Sequence, residues 1–180
     1  MATYSQMLKQ AMNKGNVKDA SNWFVDTFQE LDKLDTRLLI QKGETERLTK
    51  RIVIGKMYLF HYDPKWKDVL PLYDRFPLIF PFDYAEGGFY GLNFHYIPYV
   101  QRARLLDSLM GLANNKTFTD NMRLNLSYRL LKSVAKSKLY EPCVKRYLNS
   151  HVRSRFLLVS PQEWTKALVL PLEDFVYKKK

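Results

Sequence analysis

Residues 4 to 12 place Tyr4, Met7, Leu8, Ala11 and Met12 at helical spacing, and the pattern ends near the "KGN" at 14–16. The next stretch, "DASNWFVDTFQELDKLD", carries Ala20, Trp23, Phe24, Thr27, Phe28, Leu31 and Leu34 on one helical stripe behind polar capping candidates. Two helices are therefore expected in residues 1–45, followed by a polar loop around Gly43. The period then changes from 3.6 to 2. From about Lys56, the residues Met57, Leu59 and His61 alternate with Tyr58, Phe60 and Tyr62, which predicts a strand. "FPLIFPF" reads as a second strand, trimmed by Pro77 and Pro81, whose missing donors favour an edge or a strand end. "GGFYGLNFHYI" is the third, joined to the second by a hairpin at "DYAEGG".

Helical spacing returns after Pro98. "PYVQRARLLDSLMGLANN" has Pro98 near its first turn and Gly111 or Asn114 near its end. "TFTDNMRLNLSYRLLKSVAKSKLY" opens on a cap at Thr119 or Asp120. "EPCVKRYLNSHV" reads as a short helix and "RSRFLLVS" as a strand. "SPQEWTKAL" then has Ser160 as N-cap, Pro161 in the first position and Glu163 completing a capping box. The pattern predicts one α+β domain over residues 1–180. A small antiparallel sheet or SH3-like partial barrel at about 52–97 lies within a β-rich region 46–98, flanked by N-terminal helices and by a mainly helical, basic region 99–180.

Composition narrows the chemistry. The 180 residues are 46% hydrophobic, enough for a real core. There is no apolar run long enough to span a membrane and no secretory signal pattern at the N-terminus, so no membrane insertion is expected. The single cysteine, Cys143, leaves no internal disulfide and no cysteine-rich zinc cage, and its place after "YEP" suits a packed thiol.

Charge is the stronger signal. The net charge is +11, yet residues 1–100 carry 13 Lys and Arg against 12 Asp and Glu, whereas residues 101–160 carry 12 against 3. Such a field attracts polyanions: nucleic acid, an anionic surface or an acidic protein. Arg129, Lys132 and Lys136 share one helix face, with Leu126, Leu130, Leu131 and Val134 opposite. Arg123, Lys138, Lys145, Arg146, Arg153 and Arg155 extend the candidate nucleic-acid-binding set. A solvated helix face is the plain alternative, although such a face usually mixes both signs. Phosphate contact with little sequence preference is the expected chemistry, because no base-reading module is present.

The segment 61–84 holds Pro64, Pro71, Pro77 and Pro81 among many rings. It reads as a stiff scaffold whose rings fill the core, or as a protein-docking surface using Trp66, Tyr73, Phe76 and Tyr84. An enzyme would need His61 and His95 to converge with Asp63, Asp74 or Asp83; strand histidines satisfied by hydrogen bonds are the simpler expectation. No catalytic residue, metal ligand or cofactor is assigned.

"GKMYLFHYDPKWKDVLPLYDRFPLIFPF", "GGFYGLNFHYIP" and "CVKRYLNSHVRSRF" together resemble a protein family of tailed bacteriophages, T4-like and related myoviruses among them, over roughly residues 1–175. The resemblance implies a phage protein acting in the cytoplasm of an infected bacterium or in the virion, and carries over no site residues. The expectation is a non-enzymatic protein binding phage DNA electrostatically, in replication, packaging or DNA-end protection. The alternative is a virion structural or assembly protein of the baseplate, neck or tail, with virion proteins or an acidic protein as its partners.

Overall fold

The computed structural model describes residues 3–14, 19–24, 26–27, 47–70, 72–170 and 176–178. Helix α1 spans Tyr4–Lys14. Its first turn is closed twice. Thr3 and Gln6 exchange side chain to backbone hydrogen bonds, and Asp107 accepts from the Tyr4 and Ser5 amides at 2.5 and 3.2 Å. A carboxylate there also meets the positive end of the helix. Residues 19–24 and 26–27 are helical as well, while Phe28, Leu31, Leu34 and the expected loop at Gly43 lie outside the described residues.

The predicted sheet is larger than three strands. β1 (Leu48–Thr49), β2 (Met57–Leu59), β4 (Leu78–Ala85), β5 (Gly88–Asn93), β6 (Val144–Leu148) and β7 (Phe156–Val159) form one antiparallel sheet in the order β1-β7-β2-β4-β5-β6. β3 (Leu72–Asp74) pairs separately with β8 (Val176–Lys178). The α+β class holds, but the sheet draws strands from beyond residue 143. The stretch expected as a helix at 141–152 instead forms a 3₁₀ turn at Glu141–Cys143, then β6, then a second 3₁₀ turn at Asn149–His151. Val144 and Tyr147 favour a half-buried pleated surface, and the open edge of β5 decides the conformation.

Pro81 also departs from the edge expectation, because β4 runs through it between β2 and β5. Its missing N–H leaves no gap in the ladder. β2 pairs with β4 only at Leu78 and Ile79, the ladder to β5 is irregular between Pro81 and Asp83, and the Pro81 carbonyl accepts from the Gly55 amide at 3.1 Å. The β4–β5 hairpin turns at Gly87, where φ is 67°. A side chain at Gly88 would sit 1.9 Å from the Tyr147 carbonyl, so the β5–β6 pairing requires glycine there.

The alternation of residues 57–62 sorts two cores. Met57 and Leu59 face one with Leu78, Phe80, Leu92, Leu106, Leu131 and Trp164, beneath α1, α2 (Tyr99–Ala113), α3 (Asp120–Ala135) and α4 (Trp164–Leu168). Tyr58, Phe60 and Tyr62 face the other with Ile52, Ile79, Phe89, Tyr147 and Phe156. Phe60 is its centre, edge-on to Phe156 at 5.0 Å, Tyr147 at 5.4 Å and Phe89 at 6.0 Å. Beyond β2 the chain closes over one side of this nest and meets the end of β6 and the turn after it. Tyr62 bridges Val152, the Asp63 amide donates to the His151 carbonyl at 3.0 Å, and the Tyr62 hydroxyl accepts from the Leu148 amide at 3.1 Å. At the other end, the capping box forms as the sequence predicts: Ser160 and Glu163 bond reciprocally, and Glu163 also pairs with Arg47.

Replacing Phe60 by Ala should cost about 3–5 kcal/mol, seen as a lower urea midpoint, because the nest cannot collapse onto the space left. Stability should also fall in alkali. Burial pushes the Tyr4 and Tyr96 phenols up to about 12 from 10.0, with Asp107 and Asp74 adding to it. The unfolded chain therefore loses these protons first, so the stability these two phenols contribute is level below pH 10 and declines between pH 10 and 12. Urea midpoints across that range should show the decline, and Tyr96→Phe should make it shallower.

Candidate nucleic-acid interface

Two grooves flank the turn at residues 149–152. The first, of about 580 Å³, lies between β6 and the segment from Tyr62 to Asp74. Pro64 begins a run of tight turns in which Lys67, Val69 and Leu70 amides donate back to the carbonyls of Pro64 and Trp66. Asp63 fastens this run, bonding Lys67 at 2.8 Å and Arg153 at 3.4 Å. Those bonds, that to Lys67 foremost, hold its carboxyl below the usual range, and the Lys67 ammonium is raised in return. Trp66 is thereby presented with 61% of its surface exposed. Lys65 lies 5.2 Å over the Trp66 ring and Lys145 lies 4.5 Å over Tyr96, with Arg146 beside them.

The floor of this groove is a buried polar network. Asp74 Oδ2 meets His95 Nδ1 at 2.6 Å and accepts from Asn93 Nδ2 at 3.0 Å, while Asp74 Oδ1 accepts from the Phe76 amide. Asn93 also donates to the Tyr147 hydroxyl at 3.0 Å and accepts from the His95 amide. Burial drives the Tyr147 phenol well above its ordinary value. The His61 ring rests on Phe76 at 4.9 Å, and the His61 amide donates to Ser154 Oγ. The two histidines and a carboxylate thus do not converge in an open cleft, and His95 is fully buried.

The second groove, of about 440 Å³, lies between the end of β1 and the start of β7. Lys50, Arg51 and Arg155 line it together with Tyr84, which is 62% exposed, and none of the described residues that line it is a carboxylate. Lys50 and Arg51 lie outside the basic block because regional charge counting averages them into a neutral hundred residues; the local cluster Arg47, Lys50 and Arg51 is the signal in the sequence that marks them.

α3 carries the remaining cations. Thr119 caps it, accepting from the Met122 amide at 3.3 Å. Leu131 and Ala135 are buried, and Leu130 and Val134 pack at the edge of the core. Arg129, Lys136 and Lys138 are exposed and in no ion pair among the described residues. Lys132, by contrast, is tied to Tyr128 at 2.7 Å and to Asp83 at 3.0 Å, contacts that raise its ammonium pKa. Arg123 bonds Asp120 and the Asn115 carbonyl, both at 3.0 Å. The candidate cations therefore fall into three places: Lys145 and Arg146 in the first groove, Arg155 in the second, and Arg123, Arg129, Lys132, Lys136 and Lys138 on or just beyond α3. Arg153 is exposed and held by Asp63. Of the candidate docking rings, Trp66 and Tyr73 line the first groove and Tyr84 the second, whereas Phe76 packs against the core.

Cys143 is buried, its thiol donating to the Tyr96 carbonyl at 3.2 Å, and burial pushes its pKa up. This is an unreactive thiol. No helix among the described residues is long and apolar enough to cross a membrane.

A family model described as the phage T4 terminal DNA protecting protein matches residues 3–180. No significant match was found among curated proteins or solved structures.

The network beneath the first groove should be worth more to stability than any surface pair. Asp74→Ala removes the carboxylate that His95 and Asn93 bond, and should lower stability by about 3 kcal/mol in urea denaturation. Asp120→Ala, which breaks a pair open to solvent, should change it by less than about 1 kcal/mol.

Proposed function

Because the chain belongs to the phage T4 terminal DNA protecting protein family, we propose that it shields the ends of linear phage DNA by binding them, without catalysis. The observation that carries this reading is the second groove, where Lys50, Arg51 and Arg155 converge with no carboxylate among the described residues that line it. Arg129, Lys136 and Lys138 offer further cations that no acid among the described residues neutralises. Cations so placed displace the counterions condensed on phosphates, giving affinity that is steep in salt and nearly blind to base sequence. Protection then needs only occupancy, since a terminus covered by protein is closed to an exonuclease. The place of action is the infected cell, and the particle wherever a DNA end is held there.

A second reading, a virion structural or assembly component, draws on the exposed Trp66 and Tyr84 as docking rings. Many copies per purified particle, rather than one or two per DNA end, would favour it.

Electrophoretic mobility shift at graded salt tests the primary reading. Linear duplex should bind at low salt, with log affinity falling linearly against log salt. Changing Lys50, Arg51 and Arg155 together to Ala should make that slope shallower by about one for each phosphate left without its cation. Absence of binding to linear DNA at low salt would sink the proposal.

A further inference from the structure

We infer that the first groove is a pocket for an unpaired nucleotide at a DNA end, with Trp66 stacking on the base and Lys65, Lys145 and Arg146 holding the flanking phosphates. The inference rests on the end-binding reading above and adds the fate of the last base. Rings and cations are interleaved here, with Lys65 over Trp66 and Lys145 over Tyr96, the combination that single-strand binders use to stack bases while tracking phosphates. Trp66 is 61% exposed although it is held in place by the turns that Asp63 fastens, so a large apolar face is presented to solvent on an ordered support. The volume of about 580 Å³ falls in the range of roughly 300–1,000 Å³ that suits a small ligand, and an unpaired base offers Trp66 a face that a base stacked within a duplex does not.

The floor sets the selectivity. Asp74 and Asn93 line the groove, but Asp74 already bonds His95, Asn93 and the Phe76 amide, and Asn93 already bonds Asp74, Tyr147 and the His95 amide. Little bonding capacity is left to read a base edge. Asp74 is the one carboxylate among the described residues that line the groove, and it is 7% exposed within that network, so it opposes an incoming phosphate less than a free carboxylate would. The pocket should therefore accept all four bases and discriminate by whether a base is unpaired.

Three duplexes of equal length separate this inference from the reading beneath it: one blunt, one with a short single-stranded overhang, and one sealed into a relaxed, fully paired circle that has neither end nor unpaired base. The fluorescent base 2-aminopurine replaces the last base of the overhang. The overhang duplex should bind on the order of tenfold more tightly than the sealed one, and its 2-aminopurine signal should be quenched. Trp66→Ala should abolish the preference and the quenching while leaving the salt-dependent affinity for the sealed duplex in place. Trp66→Phe, which keeps a ring, should retain part of both. Exchanging the terminal base should change affinity by less than about threefold. Equal binding of sealed and overhang duplexes, or a preference unmoved by Trp66→Ala, would overturn the pocket while leaving electrostatic DNA binding intact. Failure to bind any of the three would overturn the end-protection reading itself.

Discussion

A guanidinium buried in the core joins the two ends of the fold. Arg102, on the first turns of α2, is fully buried, and its Nε donates to the Ile97 carbonyl at 2.7 Å. Its Nη1 donates to the carbonyls of Ala167 and Leu170 at 3.1 and 2.6 Å. Burial lowers its pKa to about 10, so it stays charged at neutral pH despite having no carboxylate partner among the described residues. Burying such a charge is costly unless strong acceptors surround it, and the carbonyls past the end of a helix have no intrahelical donors of their own. One side chain therefore links the exit of the β5 segment, the start of α2 and the end of α4. That link matters because β7, which leads directly into α4, is inserted between β1 and β2. β1 can join the sheet only through β7, after the C-terminal part of the chain has returned to it.

Insertion of β7 also explains where the charges go. With both faces of the sheet buried, one under helices and one around Phe60, cations have no face to occupy and collect at strand ends, the β6 edge and the turn after it. Lys50 and Arg51 follow β1, Lys145 and Arg146 ride the edge strand, and Arg155 precedes β7. Edge cations have the further effect of discouraging another strand from pairing with β6. The same constraint that builds two cores thus produces two basic grooves.

Period and capping make the helices after Pro98 legible in the sequence, along with the strand at 57–62 and the capping box at Ser160. Pairing across long separations is not legible there. β6 has the length and polarity of a helical turn, and only the open edge of β5 makes it a strand. The ring-rich segment is opaque for a related reason: its prolines break the period, so nothing local distinguishes Phe80 and Phe82, which are buried, from Trp66 and Tyr84, which are exposed. Lys50 and Arg51 stay hidden because charge counting follows the chain, whereas a groove gathers residues about a hundred positions apart. Regional composition locates the basic helix and misses the acid-free groove.

The acidic residues decide which cations keep an uncompensated charge. Of the three carboxylates within residues 101–160, Asp107 serves the N-terminus of α1, Asp120 pairs with Arg123 alone, and Glu141 is in no ion pair among the described residues. Two other cations of the basic block are met by acids from the ring-rich segment, Lys132 by Asp83 and Arg153 by Asp63. These cross-connections fix α3 to β4 and the turn at 149–152 to the Trp66 loop. They also commit those two carboxylates to attachment, while Arg129, Lys136, Lys138 and Arg155 are in no ion pair among the described residues. A surplus of like charge lowers the stability of a compact state, and the ring-rich segment helps determine which cations contribute to it.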